Sequence, residues 1–278
     1  MKVVSIVNMK GGVAKTTIAV NIADVLAQRE GHKVLVIDVD PQFNATQCLV
    51  SGDDYVAYRD RGHTIVDIFE DQPRVITSPV SGSIIREPVD ISGIVPMNIK
   101  EDYDIVPGNL ELFRLETHTS LGSMNRLKLF IDHLEQAESY DYVIIDTPPT
   151  PSIWMTSALL ASDYYIIPVK PEPLSATGID LLKGVVERTT RNFSKKLTCI
   201  GVVLTIAEEV TIVFKQTVRF LDANALWKGK RFKHSLPKRT EIAREQANQR
   251  LILDLDDPVP KSAITNITRE LIERIENA

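Results

Sequence analysis

The chain has 278 residues, 44% hydrophobic and 25% charged, an ordinary globular composition at the length of one large domain or two small ones. A net charge of −5 excludes a histone-like polycation, and two cysteines, Cys48 and Cys199, exclude a disulfide framework or a four-cysteine zinc site within one chain. No run approaches the ~20 apolar residues of a membrane span, the opening run Val3–Val7 is too short for a signal-peptide core, and a reducing cytoplasm is the expected setting.

Short β-branched runs alternate with amphipathic ones along the chain. Val3–Val7 predicts the first strand. Ile18, Ile22 and Val25, with Ala19, Ala23 and Leu26, predict one apolar face of a following helix. Val34–Ile37 predicts the second strand. The stretch from Gly52 to Lys100 is rich in Pro, Gly, Ser and Asp, and only Thr64–Glu70 reads as a short helix within it. It is expected to be an irregular insertion, at about 52–100, in one domain spanning 1–278. Asp104–Val106, Tyr142–Ile145, Tyr164–Val169 and Cys199–Leu204 predict further strands. Leu127, Phe130, Ile131 and Leu134 make one helix face between them, and Leu181, Leu182, Val185 and Val186 make another. Several strands are apolar on both faces, as strands of a parallel sheet covered on both sides must be. The alternation predicts the α/β class, with a doubly wound, mostly parallel sheet and helices on both faces.

Chemistry-bearing residues gather at predicted strand ends. After the first strand come Asn8-Met9-Lys10-Gly11-Gly12-Val13-Ala14-Lys15-Thr16-Thr17 and then a helix. Glycines allow a tight turn whose N–H groups face an anion, and the helix N-terminus adds its positive end. In such a loop Lys15 reaches the β- and γ-phosphates and the Thr16 hydroxyl binds Mg²⁺. The second strand ends in Asp38-Val39-Asp40-Pro41-Gln42, where alternation places Asp38 and Asp40 on the same side. A third acid, Asp146, ends the strand of Tyr142–Ile145 and precedes Thr147-Pro148-Pro149. An acid there can hold a Mg²⁺-bound water.

Lys-Gly-Gly-x-x-Lys-Thr-Thr resembles the deviant Walker A motif of the ParA/MinD ATPases, within the P-loop NTPase fold. The resemblance implies ATP and Mg²⁺ as cofactors. The ATP-binding residues it implies are Lys10, Gly11, Gly12, Val13, Ala14, Lys15, Thr16 and Thr17. In that family the early lysine, here Lys10, crosses a nucleotide-sandwich dimer to the phosphates held by the other subunit. One departure is Ala14, where the family has glycine; a positive φ there strains alanine by about 1 kcal/mol. Asp-x-Asp-Pro-Gln is similar to the family's second motif. By that likeness Asp40 activates the attacking water, and Asp38 supports the same water and the metal shell. Asp146 resembles the Walker B acid, so Thr16, Asp38 and Asp146 are the implied metal residues and Lys10, Asp38 and Asp40 the catalytic ones. Tyr103–Leu112 is similar to a further family stretch. Ile166-Ile167-Pro168-Val169, with Pro171 and Leu174, resembles the strand and switch after Walker B. Val202–Thr205 and Leu236–Arg239 match the two segments that flank adenine, which implies Thr205 and Pro237.

Between Lys183 and Arg250 there are 15 Lys and Arg against 6 Asp and Glu, so this window carries +9 and the remainder −14. Lys215 and Arg219 fall one turn apart on a predicted helix. Lys228, Lys230, Arg231 and Lys233 follow, with Trp227 and Phe232 interleaved. This is either the footprint of a phosphate backbone or a solvated face beside an ordinary hairpin. The resemblance favours the first, implying a ParA-type positioning ATPase that dimerises around ATP and binds nonspecific double-stranded DNA. A ParB-like or McdB-like adaptor then stimulates hydrolysis and release, which distributes a plasmid, chromosome origin or protein body such as the carboxysome over the nucleoid. With the first strand at the start of the sequence, the helix-turn-helix domain of larger plasmid ParA proteins is not expected. A MinD-type membrane ATPase needs a basic amphipathic terminal helix. Here Ile264, Ile267, Leu271 and Ile275 share a face, charges are mixed and aromatics lacking, so a packing helix and no membrane partner are expected. An iron–sulfur ATPase would use Cys48 or Cys199 near a two-fold axis, where neither is expected, and an amidating ligase of the same superfamily does not require Lys10.

Overall fold

The computed structural model describes residues 1–78, 82–116, 121–172 and 175–278. Its strands and helices in chain order are β1 Lys2–Ile6, α1 Lys15–Gln28, β2 Val34–Asp38, α2 Asn44–Leu49, α3 Gly52–Arg61, α4 Ile65–Phe69, β3 Arg74–Ser78 and β4 Gly82–Arg86. There follow β5 Met97–Lys100, β6 Tyr103–Val106, α5 Leu112–Glu116, α6 Leu121–Met124, α7 Arg126–Gln136, β7 Tyr142–Asp146 and α8 Ile153–Ala161. The last are β8 Tyr164–Val169, α9 Ser175–Asn192, β9 Thr198–Leu204, α10 Ile212–Ala223, α11 Thr240–Gln246 and α12 Pro258–Glu276.

Seven strands form one sheet in the order β5-β6-β2-β7-β1-β8-β9, parallel throughout except for the antiparallel edge strand β5. β3 and β4 make a separate hairpin. Alternation along the strands explains the two covered faces. Val34 and Val36 of β2 join Ile18, Ile22, Leu26 and the α12 residues Ile264, Ile267 and Leu271 in one buried cluster. Leu35 and Ile37 point the other way, into a cluster with Phe130, Ile131 and Trp154 of α7 and α8. A third cluster, on β8, β9, α9 and α10, is built around Ile167, Leu182, Val202 and Leu221. The predicted α/β class, strand set and packing role of the terminal helix are what the structure has.

Two expectations need correction. Leu181 does not share the buried face of α9: it is 59% exposed, and Ile179, Leu182 and Val186 carry the packing instead. The stretch from Gly52 to Lys100 holds more structure than Thr64–Glu70 alone. It contributes α3, α4, the hairpin and the edge strand β5. α3 fully buries none of its residues, and only Tyr55 and Tyr58 pack, partly buried, against the core. Its signals sit at its ends. Ser51 caps it by accepting from the Asp54 amide, Asp53 and Asp54 occupy its first turn, Arg59 and Arg61 its last, and Gly62 turns left-handed behind it at φ +81°.

Candidate functional site

The C-terminal ends of β1, β2, β7 and β8 lie side by side, at the edge where open α/β sheets place ligands. β1 runs into the loop of residues 7–14. Gly12 adopts φ +69°, and Ala14, just before α1, adopts φ +60°. Alanine is therefore held in the left-handed region, at a cost of about 1 kcal/mol. Ala14 is also the N-cap of α1 and offers no capping side chain. The first amide to bond back is that of Ile18, to the Ala14 carbonyl at 3.0 Å. The amides of Lys15, Thr16 and Thr17 have no helical carbonyl to meet, so they and the positive end of α1 suit an anion.

The loop is fastened from beneath. The buried Asn8 donates from Nδ2 to the Pro168 carbonyl at 2.7 Å and accepts the Lys10 amide on Oδ1 at 2.9 Å. The buried Thr205 hydroxyl, just past β9, donates to the Val13 carbonyl at 2.9 Å. Lys15 is buried and donates from Nζ to the Lys10 carbonyl at 3.2 Å. The Lys10 ammonium lies elsewhere, 41% exposed and paired with Glu172 after β8. Lys170 pairs with the same carboxylate at 2.6 Å. Lys10 and then Lys170 hold Glu172 at about 2, well below the usual carboxylate range.

Asp38 and Asp146 are register partners on β2 and β7, and both are fully buried. Thr16 Oγ1 donates to Asp146 Oδ2 at 2.7 Å, whereas Asp146 Oδ1 is buried without a partner. Asp38 Oδ2 accepts the amide and hydroxyl of Thr46, at 2.9 and 2.8 Å. The Gly108 amide donates to that hydroxyl at 2.7 Å. A Cβ on Gly108 would lie 2.9 Å from the Asp38 carboxylate, so only glycine lets the end of β6 approach this closely. Asp40, also buried, accepts the Gln42 amide at 2.9 Å.

This space holds three buried carboxylates against one buried lysine. Burial pushes Asp146 up to about 7, opposed by Thr16 and Lys15 and reinforced by Asp40. Burial, with Asp146 beside it, holds Asp38 well above the usual range, and burial raises Asp40. Burial pulls Lys15 down against the attraction of Asp146 and Asp40. The site is short of positive charge. Thr16 Oγ1 and the orphan oxygen of Asp146 are hard donors that fit a divalent cation. Among the described residues no three His, Cys, Asp or Glu side chains cluster to hold a metal, so such a cation needs ligand and water oxygens as well. Asp38 is tied to Thr46, one strand away from the Thr16–Asp146 pair.

The two segments expected to flank a base meet in space. The Leu236 amide donates to the Leu204 carbonyl at 2.8 Å, and Ala207 bridges to Pro237. Beside them runs a groove of about 1100 Å³ lined by Ala207, Glu208, Pro237, Lys238, Arg239 and Val259. Pro237 faces it, whereas the Thr205 hydroxyl is spent on the loop. Leu174 lies outside the described residues. Of the six basic residues, Lys215, Arg219, Lys228 and Lys233 are exposed. Lys230 donates to the Cys199 carbonyl at 2.9 Å, and Arg231 pairs with Asp222 at 3.0 Å. The interleaved aromatics are core: Trp227 and Phe232 are buried, and Arg274 stacks 4.4 Å over Phe232. Cys48 and Cys199 are free and lie apart, on α2 and β9. Asn8, Thr46 and Glu172 carried no assigned role in the sequence.

The raised Asp146 has a consequence for stability. Below about pH 4 the carboxyl is protonated in folded and unfolded chains alike. Between its ordinary 3.8 and about 7 only the unfolded chain ionises, so folding stability falls as pH rises through that window and the loss persists above it. Asp146→Asn is therefore expected to stabilise the nucleotide-free protein at pH 8 by on the order of 2 kcal/mol, and by only a fraction of that at pH 4.5. Urea unfolding at both pH values checks this; a variant less stable than wild type at pH 8 contradicts it.

A family model described as an AAA domain matches residues 1–199. An uncharacterized protein of Methanocaldococcus jannaschii is 34% identical over 204 residues, covering 72% of this chain and 71% of that one. The sporulation initiation inhibitor protein Soj of Bacillus subtilis is 28% identical over 94% of both chains. A plasmid partition protein from Borrelia burgdorferi superposes with a TM-score of 0.74 at 22% identity over 98% of each chain. An ATP complex of a McdA variant from Cyanothece gives 0.76 at 19%, over 98% of this chain and 96% of that one. With its phosphate loop, its early Lys10 and its paired strand-end acids, the chain belongs to the ParA/MinD family of P-loop ATPases.

Proposed function

We propose that residues 1–278 act as one ATPase domain, with 52–100 inserted, which positions a cargo by ATP-dependent dimerisation on DNA. The observation that carries this reading is the placement of Lys10. Its backbone carbonyl serves its own Lys15, but its ammonium lies away from its own loop and half-exposed on Glu172. A lysine that does not serve its own phosphates is free to reach those of a second copy. There it desolvates against them and ties assembly to nucleotide state.

In this reading Lys15 and the amides of residues 15–17 hold the β- and γ-phosphates. Thr16 and Asp146 would hold Mg²⁺, with Asp38 supporting them from the next strand, and the ion would neutralise charge on those phosphates. Asp40 accepts the proton of the attacking water, and the burial that raises its pKa makes it a stronger base. Gly11, Gly12, Val13 and Ala14 shape the cradle, and the base lies in the groove beside Pro237. The ATP complex of the structurally similar McdA variant supports this choice of ligand. Lys215, Arg219, Lys228 and Lys233 meet the phosphates of nonspecific DNA, and two such faces on a dimer hold more of them than one. A ParB-like or McdB-like adaptor stimulates hydrolysis and so releases the dimer, in the cytoplasm and on the nucleoid. Among the described residues no helix is long and apolar enough to cross a membrane. The buried face of α12, with Ile264, Ile267 and Leu271, favours packing over membrane attachment.

Lys10→Ala is expected to keep monomeric ATP binding and to lose ATP-dependent dimerisation and DNA retardation together. Light scattering and a DNA mobility shift, each with ATP and ADP, check this. A variant that still dimerises and shifts DNA with ATP rejects the sandwich dimer and leaves a plain P-loop ATPase. Asp40→Ala is expected to retain ATP binding and dimerisation while turnover falls about 100-fold or more. Phosphate release assays test it, and loss of ATP binding instead would make Asp40 a structural or metal-holding residue.

A further inference from the structure

One side of α1 carries a row of polar side chains that begins at the phosphate loop. Thr17, Asn21 and Asp24 lie at i, i+4 and i+7, and Asn21 and Asp24 are buried. Thr17 Oγ1 donates to Gln246 Oε1 at 3.1 Å. Asn21 Oδ1 accepts the Ile252 amide at 2.7 Å. Lys100 joins Asp24, at 2.9 Å, to Asp254, at 3.3 Å. The chain from α11 to residue 254 is thereby fastened to the helix that leaves the phosphate loop.

Two buried atoms of this network are left without a partner, Asp24 Oδ2 and Gln246 Nε2, and of these only Gln246 Nε2 is a donor. Gln246 is 7% exposed. An unmet buried donor destabilises the fold, and a leucine of similar size would avoid that cost. The other end of the carboxamide is held by Thr17, the third residue of α1, beside the amides of residues 15–17 that no helical carbonyl meets. A fixed N–H donor next to an uncapped helix start is suited to an anionic oxygen.

We propose that Gln246 is a nucleotide-binding residue: with Oε1 on the Thr17 hydroxyl, its Nε2 donates to an oxygen of the nucleotide's α-phosphate. This rests on the ATPase reading above. Lys15 and the loop amides take the outer phosphates, so the flank of the first helical turn is left for the phosphate nearest the nucleoside. α11 follows directly on the Leu236–Arg239 segment that lines the groove, which puts the nucleoside end on the same side. A bound nucleotide then grips α11 through Gln246 as well as α1, and its arrival is felt in the C-terminal third of the chain.

The test compares wild type with Gln246→Leu and Gln246→Glu. Binding of Mg²⁺–ADP is measured by calorimetry and stability of the nucleotide-free chains by urea unfolding. Gln246→Leu is expected to weaken ADP binding about ten-fold or more while leaving the free protein as stable as wild type or more so. Gln246→Glu is expected to weaken it further, because a carboxylate then faces the phosphate. ADP carrying sulfur on the α-phosphate locates the contact: wild type binds one diastereomer less tightly than ADP, and Gln246→Leu narrows that gap. Wild-type affinity in Gln246→Leu, a gap that does not narrow, or a stability loss in place of an affinity loss overturns the proposal. No ADP binding by the wild-type chain overturns the ATPase reading as well, whereas normal binding by Gln246→Leu overturns this inference alone.

Discussion

Negative charge without enough positive charge, held at the centre of the sheet, is the constraint on which this site depends. Asp38 and Asp146 end adjacent strands in register, and Asp40 follows two residues later. Backbone pairing of β2 with β7 fixes the first two side by side, so neither can retreat without breaking the sheet. Lys15 is the one buried cation among them, and its own desolvation opposes its charge. Burial drives all three carboxyls toward their neutral forms in the free protein. A ligand that brings a divalent cation to Thr16 and Asp146, and an anion to the open amides of α1, relieves both imbalances at once. Stability given up in the empty protein is recovered as affinity for that ligand, as binding linkage requires.

The scaffold explains how such a strained centre persists. Three apolar clusters surround it, and the loop is held by Asn8 below β8 and Thr205 past β9. Gly108 lets Thr46 be held from β6 while Thr46 holds Asp38. The same rigidity explains why Ala14 can be forced into the left-handed region: α1 is fixed by α12 packing and by the row of polar bonds from Thr17 to Asp24. Lys10 is the exception. It stays at the surface on a carboxylate that two lysines share, an arrangement that can be exchanged for another anion without disturbing the core.

Much of this was legible in the sequence, for physical reasons. Strands apolar on both faces, such as Val34–Ile37 and Tyr142–Ile145, can be nothing but central strands of a covered sheet, and a Gly-Gly turn followed by Lys-Thr after such a strand announces an anion site. What was hidden lacked a local signal. α3 sets only Tyr55 and Tyr58, partly buried, against the core, too short a pattern to mark it, so its caps are its clearest signal. Leu181 sits beside Leu182 in the chain yet one residue turns a helix side chain by about 100°, out to solvent. Glu172 meets Lys10 across 162 residues and Gln246 meets Thr17 across 229, separations over which no spacing rule operates. Trp227 and Phe232 are interleaved with basic residues in sequence, whereas in space they face the core and Arg274 covers one of them.

If nucleotide and metal complete this site as proposed, their arrival favours the ionised form of carboxyls that burial pushes toward the neutral one, and proton exchange on binding is the sharpest probe of this. Mg²⁺–ADP is titrated into the protein by calorimetry at pH 6.5, in two buffers of different ionisation enthalpy. Net proton release is expected, because the Asp146 carboxyl, pushed up to about 7 by burial, ionises when the cation arrives. Binding with no proton exchange, or with net uptake, would show that the carboxyls are already ionised in the empty site.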